Sequence, residues 1–315
     1  MKRFLQNIVC PLVALLTLSA CETDVEFSGE QMESLPVLNT VITAGNPVNV
    51  YYTRSVFILD DRTTTYITDG NVELYINDTF VERLSLCQCE LLPGEYAYFY
   101  GSTVAPREGD KVMVRARCGE FAEWVSGTVT IPNAPAVGDV VLNYSGVTEW
   151  DVTGKGYITL SDPAEENNYY WMCGMSYYDT NPEHESNYIS YDFFTYTDVA
   201  FSGGASTDVL GEILGDSDSY IIFDDSLLNG KSNYHLNVEW SLPEMWADEY
   251  AYLEVYCQQI DENLYKYYRS IELSDSASLF GEPVQVHSNV EGGLGLVGAQ
   301  SSAVIYQKYY LEIAQ

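Results

Sequence analysis

Basic residues are scarce in this chain: 14 Lys and Arg stand against 46 Asp and Glu, for a formal net charge of −32 over 315 residues. Such a polyanion repels phosphate backbones and gains nothing from counterion release, which argues against nucleic acid as a partner. Histidine is rarer still. His184, His235 and His287 fall in no H-E-x-x-H or other ligand spacing, so no metal centre is expected and each reads as a surface or half-buried sheet residue. A G-x-S-x-G nucleophile elbow is also missing. The 7 cysteines include no C-x-x-C pair, which removes the common zinc spacings. Long apolar runs are confined to the first twenty residues, where they are of signal-peptide length and shorter than a membrane span.

What is present begins there. Lys2 and Arg3 form a basic n-region, Ile8 to Leu18 an apolar stretch, and Leu18-Ser19-Ala20-Cys21 resembles the bacterial lipobox. The expectation is a signal peptide over 1–20, cleavage before Cys21, and acylation of Cys21 by palmitate-like chains. Several chains on one residue anchor stably, since two hydrophobic signals already suffice. The following "ETDVEFSGEQME" resembles the acidic export tag of surface lipoproteins, and 21–35 reads as a tether with a flexible reach of roughly 20 Å. Removal of 1–20 takes two basic residues and no acidic ones, leaving 12 against 46 and a formal charge of −34.

"GGLGLVGA" (292–299) matches the G-x-G-x-x-G/A dinucleotide fingerprint through Gly293, Gly295, Gly298 and Ala299. That fingerprint needs a strand before it, a full helix after it and an acidic residue about twenty positions on. Here "AVIYQKYYLEI" follows, rich in β-branched and aromatic residues, and it reads as a closing strand. The glycines are therefore expected in a strand or bend closely approached by another backbone, and no cofactor is expected.

Alternation dominates the rest. Val72, Leu74 and Ile76 share one strand face, as do Val112, Val114 and Ala116 with Arg115 and Arg117 outward. Asp69-Gly70, Pro93-Gly94 and Gly109-Asp110 supply turns. The spacing predicts an immunoglobulin-like β-sandwich over 36–133. "IPNAPAVGDV" marks a boundary near 134, and a second β-domain is expected over 134–315. Its one helix is "DENLYKYYRSIEL", capped by Asp261, with Leu264, Tyr267, Tyr268 and Ile271 on one side. The fold class expected is mainly β: two antiparallel sandwich-like domains with one short helix. Cys87, Cys89, Cys118, Cys173 and Cys257 read as buried free thiols. A bridge from Cys87 or Cys89 to Cys118 stays open outside the cytoplasm.

No catalytic residue is assigned. Abundant carboxylates are not by themselves a glycosidase pair, and "DSDS" (216–219) lacks the Gly and Glu of a calcium loop. The tyrosine-rich stretch 168–201 is the better lead, because tyrosine joins a flat apolar face to a polar tip. Tyr169, Tyr170, Trp171, Tyr177 and Tyr178 are its candidate binding aromatics, with Tyr169 and Trp171 on one strand face and Tyr170 on the other.

Four stretches together, "LSDPAEENNYYWM" (160–172), "FDDSLLNGKSNYHLNV" (223–238), "LYKYYRSIE" (264–272) and "FGEPVQVHSNVEGGLGLVGAQS" (280–301), resemble DUF4249, a Bacteroidota lipoprotein family of unknown function. "PVLNTVITAGNPVNVYYTRS" (36–55) fits its opening, and Val297 stands where the family usually has phenylalanine. The resemblance implies an outer-membrane lipoprotein, held by acylated Cys21 and facing the cell exterior. It implies a non-enzymatic accessory or ligand-capture role beside a TonB-dependent transporter, with a glycan or peptide as ligand. The alternative is a carbohydrate- or peptide-active surface hydrolase with unrecognised carboxylates.

Overall fold

The computed structural model describes residues 33–56, 64–147, 151–164, 166–178, 188–191, 194–201, 220–243, 252–277 and 285–307. The expected signal peptide, Cys21 and its tether up to Met32 lie outside these residues, as do His184 and the 216–219 stretch. The described chain is mainly β, with antiparallel sheets and a single α-helix.

The first half supplies β1 (Pro36–Thr43), β2 (Asn49–Arg54), β3 (Thr65–Tyr66), β4 (Asn71–Ile76), β5 (Thr79–Arg83), β6 (Ser85–Leu92), β7 (Glu95–Gly101), β8 (Lys111–Arg117) and β9 (Val125–Thr130). The second half supplies β10 (Ala136–Val147), β11 (Asp151–Ser161), β12 (Tyr169–Tyr178), β13 (Tyr188–Tyr191), β14 (Phe194–Tyr196), β15 (Ile221–Asp224), β16 (Tyr234–Pro243) and β17 (Tyr252–Ile260). The helix α1 (Glu262–Ala277) and the closing strand β18 (Leu294–Gln307) follow.

One sheet runs through both halves in the order β13-β12-β17-β18-β1-β2-β7-β6, with β15 pairing β12 and β3 pairing β2. Two four-stranded sheets, β5-β4-β8-β9 and β10-β11-β16-β14, complete the strand layers. The period-2 pattern explains why each packs where it does. Val72, Leu74, Val112, Val114 and Ala116 are fully buried and meet Leu38, Ile42, Val50 and Tyr52 of the long sheet in one core. Ile158, Leu236, Val238 and Trp240 meet Tyr170, Met172, Phe223 and Cys257 in another. The two cores divide close to residue 134, with one exception. Val290, Val297 and Ala299 belong to the first core, so the C-terminal segment returns to the N-terminal strands and the long sheet continues across the division.

That return is the one parallel pairing among the described residues, β18 beside β1 with Val37 opposite Leu294 and Thr43 opposite Gln300. It accounts for the glycine fingerprint. Gly295 has φ +117°, and a Cβ there would sit 2.3 Å from Leu38 O, a backbone approach only glycine accepts. Gly298 lies under α1, where a Cβ would come within 3.1 Å of Leu264 Cβ.

The helix is anchored as the sequence predicts. Asp261 Oδ2 accepts from Asn263 N at 2.8 Å and Oδ1 from Leu264 N at 3.3 Å, which satisfies two otherwise orphaned donors. Oδ1 also accepts from Ala299 N at 2.8 Å, so the cap is tied to β18. Leu264 then packs on Ile222, Ile260 and Leu296, on the opposite face of the long sheet from the two cores. The prediction of one apolar side omitted Tyr265, which packs there beside Tyr267 and Tyr268.

Among the described residues the five cysteines are free thiols. Cys173 and Cys257 are buried as expected, and burial pushes the Cys257 thiol up to about 12; Cys89 is instead exposed and Cys87 and Cys118 half-buried. Cys118 is not bridged to Cys87 or Cys89; its sulfur accepts from Phe121 N at 3.4 Å.

Candidate functional site

Two of the stretches that carry the family resemblance are locked together by buried carboxylates. Asp162 N donates to Lys231 O at 2.9 Å, and the Asp162 carboxylate accepts from Tyr170 Oη and Gly230 N. Asp225 Oδ2 accepts from Asn168 N at 3.0 Å and Asn229 Nδ2 at 3.4 Å, while Asp225 N donates to Asn168 O. Burial raises the Asp225 carboxyl above its ordinary range, and the Asp162 and Asp224 charges add to this despite the Asn168 hydrogen bond. Burial and the bond to Asp162 likewise drive the Tyr170 phenol far upward. These are buried acceptors inside a polar network, each occupied by donors that hold loops together.

Asp198 makes a third such centre. It accepts from Ala200 N at 3.0 Å, Tyr234 Oη at 2.8 Å and Asn237 Nδ2 at 2.7 Å. Burial pushes its carboxyl up, but these bonds and one from Asn237 N outweigh burial and hold it below the usual carboxylate range. Nothing in the sequence around Asp198 marks this role; its side-chain donors, Tyr234 and Asn237, come from β16, some forty residues on.

Beside the Asp225 network lies a cleft of about 660 Å³, within the usual size of ligand sites. One wall is β9 and the segment after it, including Thr128, Thr130 and Asn133. The other is built from Asn168 and Tyr169 at the start of β12, Gln259 at the end of β17, and Asp261 and Asn263 at the start of α1. Lys111 and Glu166 also line it. Asn168 is buried; its side-chain carbonyl accepts from Gln259 Nε2, while its Nδ2 has no acceptor. Carboxamides, hydroxyls, carboxylates and one aromatic ring form these walls, a set suited to hydrogen-bonding and stacking with a polar ligand. Asp261 is committed to the helix cap and to β18, and burial raises its carboxyl despite bonds from Ala299, Asn263 and Leu264 N.

The candidate aromatics separate. Tyr169 lines the cleft, half-buried, its ring stacked on Tyr265 with centroids 4.6 Å apart. Trp171 lies on the same strand face, stacked on Tyr220 at 5.7 Å under the helix. Tyr170 points the other way, is 1% exposed and stacks on Phe223 in the core. Its place as a binding aromatic is therefore corrected: strand alternation puts its ring inside and leaves no surface for a ligand. Tyr177 and Tyr178 continue β12, paired with Ile189 and Tyr188 of β13, and their side chains lie outside the described residues. Of the histidines, His235 is an exposed sheet residue stacked on Tyr157 at 4.0 Å, and half-buried His287 contacts Asn263 Oδ1 through Nε2 at 3.1 Å. No group of three or more His, Cys, Asp or Glu side chains among the described residues is arranged to hold a metal ion.

The cleft wall formed by β9 has no sequence signal, because its partners depend on how two distant segments meet. No helix among the described residues is long and apolar enough to cross a membrane. A search of the curated proteins finds no match. The family described as "domain of unknown function (DUF4249)" matches residues 22–305, a span that takes in every described strand from β1 to β17, the helix and most of β18. On that match the chain belongs to the DUF4249 family.

Proposed function

We propose that this protein is a surface-exposed outer-membrane lipoprotein, anchored through acylated Cys21, that captures a ligand for a TonB-dependent nutrient transporter and has no turnover of its own. The observation that carries the capture role is the polar cleft, where Tyr169 and a group of carboxamides converge beside the interlocked Asp225 network. The anchor is supported by the n-region, apolar stretch and lipobox ending at Cys21. A tether confines the protein to the membrane surface, and confinement raises the effective concentration of a membrane partner without new contacts. Weak docking to a transporter then persists.

The test combines anchor and cleft. Cys21→Ala is followed by detergent partitioning, and ligand uptake is compared between wild type and Tyr169→Ala in cells. Loss of membrane partitioning in the first variant and loss of uptake in the second are expected. A Cys21→Ala protein that still partitions as wild type, or uptake indifferent to the cleft, contradicts the proposal.

A further inference from the structure

The four-stranded sheet β5-β4-β8-β9 ends at β9, so one side of β9 has no full strand beside it among the described residues. In a strand, the N–H and C=O of one residue point to the same side, and successive residues point to opposite sides. Ile131 exchanges bonds on the β8 side, accepting from Gly109 N at 2.9 Å and donating to Asp110 O at 3.0 Å. Ser126 has the other parity: it exchanges bonds with Glu291 at 3.1 and 2.8 Å on the free side, in an isolated antiparallel bridge. Thr128 and Thr130 share the parity of Ser126, pair opposite Met113 and Lys111 without facing β8, and are exposed. Both line the cleft.

The cleft therefore presents an open strand edge, with two N–H donors and two C=O acceptors in β register, continuing a line of pairing that Glu291 has begun. A ligand that matches such a row is another extended backbone. Exposed Glu166 stands in the cleft wall of a chain with 46 acidic and 14 basic residues, which favours cationic side chains on the incoming strand. The geometry points to an extended peptide with basic side chains as the ligand, added as a strand to the edge of β9 at Thr128 and Thr130. This rests on the cleft being the capture site, and it names the ligand class.

An unpaired edge allows a clean test. Proline at Thr128 removes an N–H that the sheet does not use, so the fold tolerates it while an incoming strand loses a donor and meets the ring. The probe is a fluorescein-labelled eight-residue peptide of alternating lysine and valine, read by fluorescence polarisation. Its partner is the same peptide N-methylated at alternate backbone positions. Saturable binding by wild type is expected, with affinity reduced at least about tenfold by Thr128→Pro or by N-methylation. If Thr128→Pro unfolds, Thr130→Pro and the N-methylated peptide carry the same test. Equal binding of both peptides overturns the strand-addition mode. Binding of a labelled neutral oligosaccharide instead, lost on Tyr169→Ala, overturns the peptide and leaves the capture role standing. Binding of neither probe overturns both.

Discussion

The two cores of the molecule are built on different chemistry. The first, between β4, β8 and β9 and the N-terminal strands, is mainly aliphatic: Leu38, Ile42, Val50, Val72, Leu74, Val112, Val114 and Val129 are among its members, with Tyr52 and Tyr100 its aromatic rings. The second holds large aromatic side chains, Trp240, Tyr170, Phe201 and Phe223, and is ringed by the buried carboxylates Asp162, Asp198 and Asp225. Aliphatic burial stabilises by removing area from water and is insensitive to pH. Buried carboxylates stabilise only while their donors are in place and their charge state suits the site. Loop order in the second half therefore depends on hydrogen bonds, and the Asn168 loop it holds is part of one cleft wall.

Backbone crowding gives the largest expected effect. A Cβ at Gly154 would sit 2.2 Å from both Asn143 O and the Trp240 ring, whereas one at Gly146 of the same sheet meets nothing within 4 Å. Gly154→Val should cost more than about 4 kcal/mol and Gly146→Val less than about 1 kcal/mol, both read from urea midpoints. Equal costs would mean that the Trp240 packing does not hold the second core together.

Next comes a direct comparison of the cores. Leu74→Ala should cost about 3 kcal/mol by leaving a cavity in the aliphatic core. Tyr170→Phe should cost about 1–3 kcal/mol, because it removes the donor to buried Asp162 while keeping the ring. A Tyr170→Phe protein as stable as wild type would show that the polar ring is dispensable.

The smallest effects concern pH, and their signs are opposite. Asp198 has a depressed carboxyl pKa, so its contribution is present above the unfolded value and is lost as pH falls through the folded one. Asp198→Asn should be destabilising at neutral pH and should flatten the loss of stability below about pH 4. Asp225 is raised: the folded state favours the protonated form, so its contribution is greatest below the unfolded value and falls as pH rises through the folded one. Asp225→Asn should thus be close to neutral at pH 7 and cost relatively more in acid. Urea midpoints across pH 3 to 7 check both, and identical pH slopes for the two variants would contradict the opposition.

Much of the aliphatic core was legible in the sequence, because alternation at Val72, Leu74, Val112 and Val114 is a local signal with one physical meaning. The helix was legible too, since Asp261 and Leu264 announce cap and face within four residues. The side that Tyr170 takes was not, as alternation assigns opposite faces without saying which is inward. Nor was the pairing of β18 with β1 foreseen, since the two segments stand some 257 residues apart and no local pattern encodes a register across that distance. The aspartate network and the open edge of β9 share this origin: each arises where separate segments meet. The glycines of 292–299 were legible only as a need for close approach, and β1 is what approaches.

The most direct measurement is a mild-detergent pull-down through a C-terminal tag from membranes of the native host, with the purified protein screened on glycans and peptides for hydrolysis. Co-purification of a TonB-dependent barrel with wild type, its loss with Cys21→Ala, and no hydrolysis are predicted. Absence of any barrel, together with hydrolysis abolished by a single Asp or Glu substitution, would contradict the capture role and make the protein an enzyme.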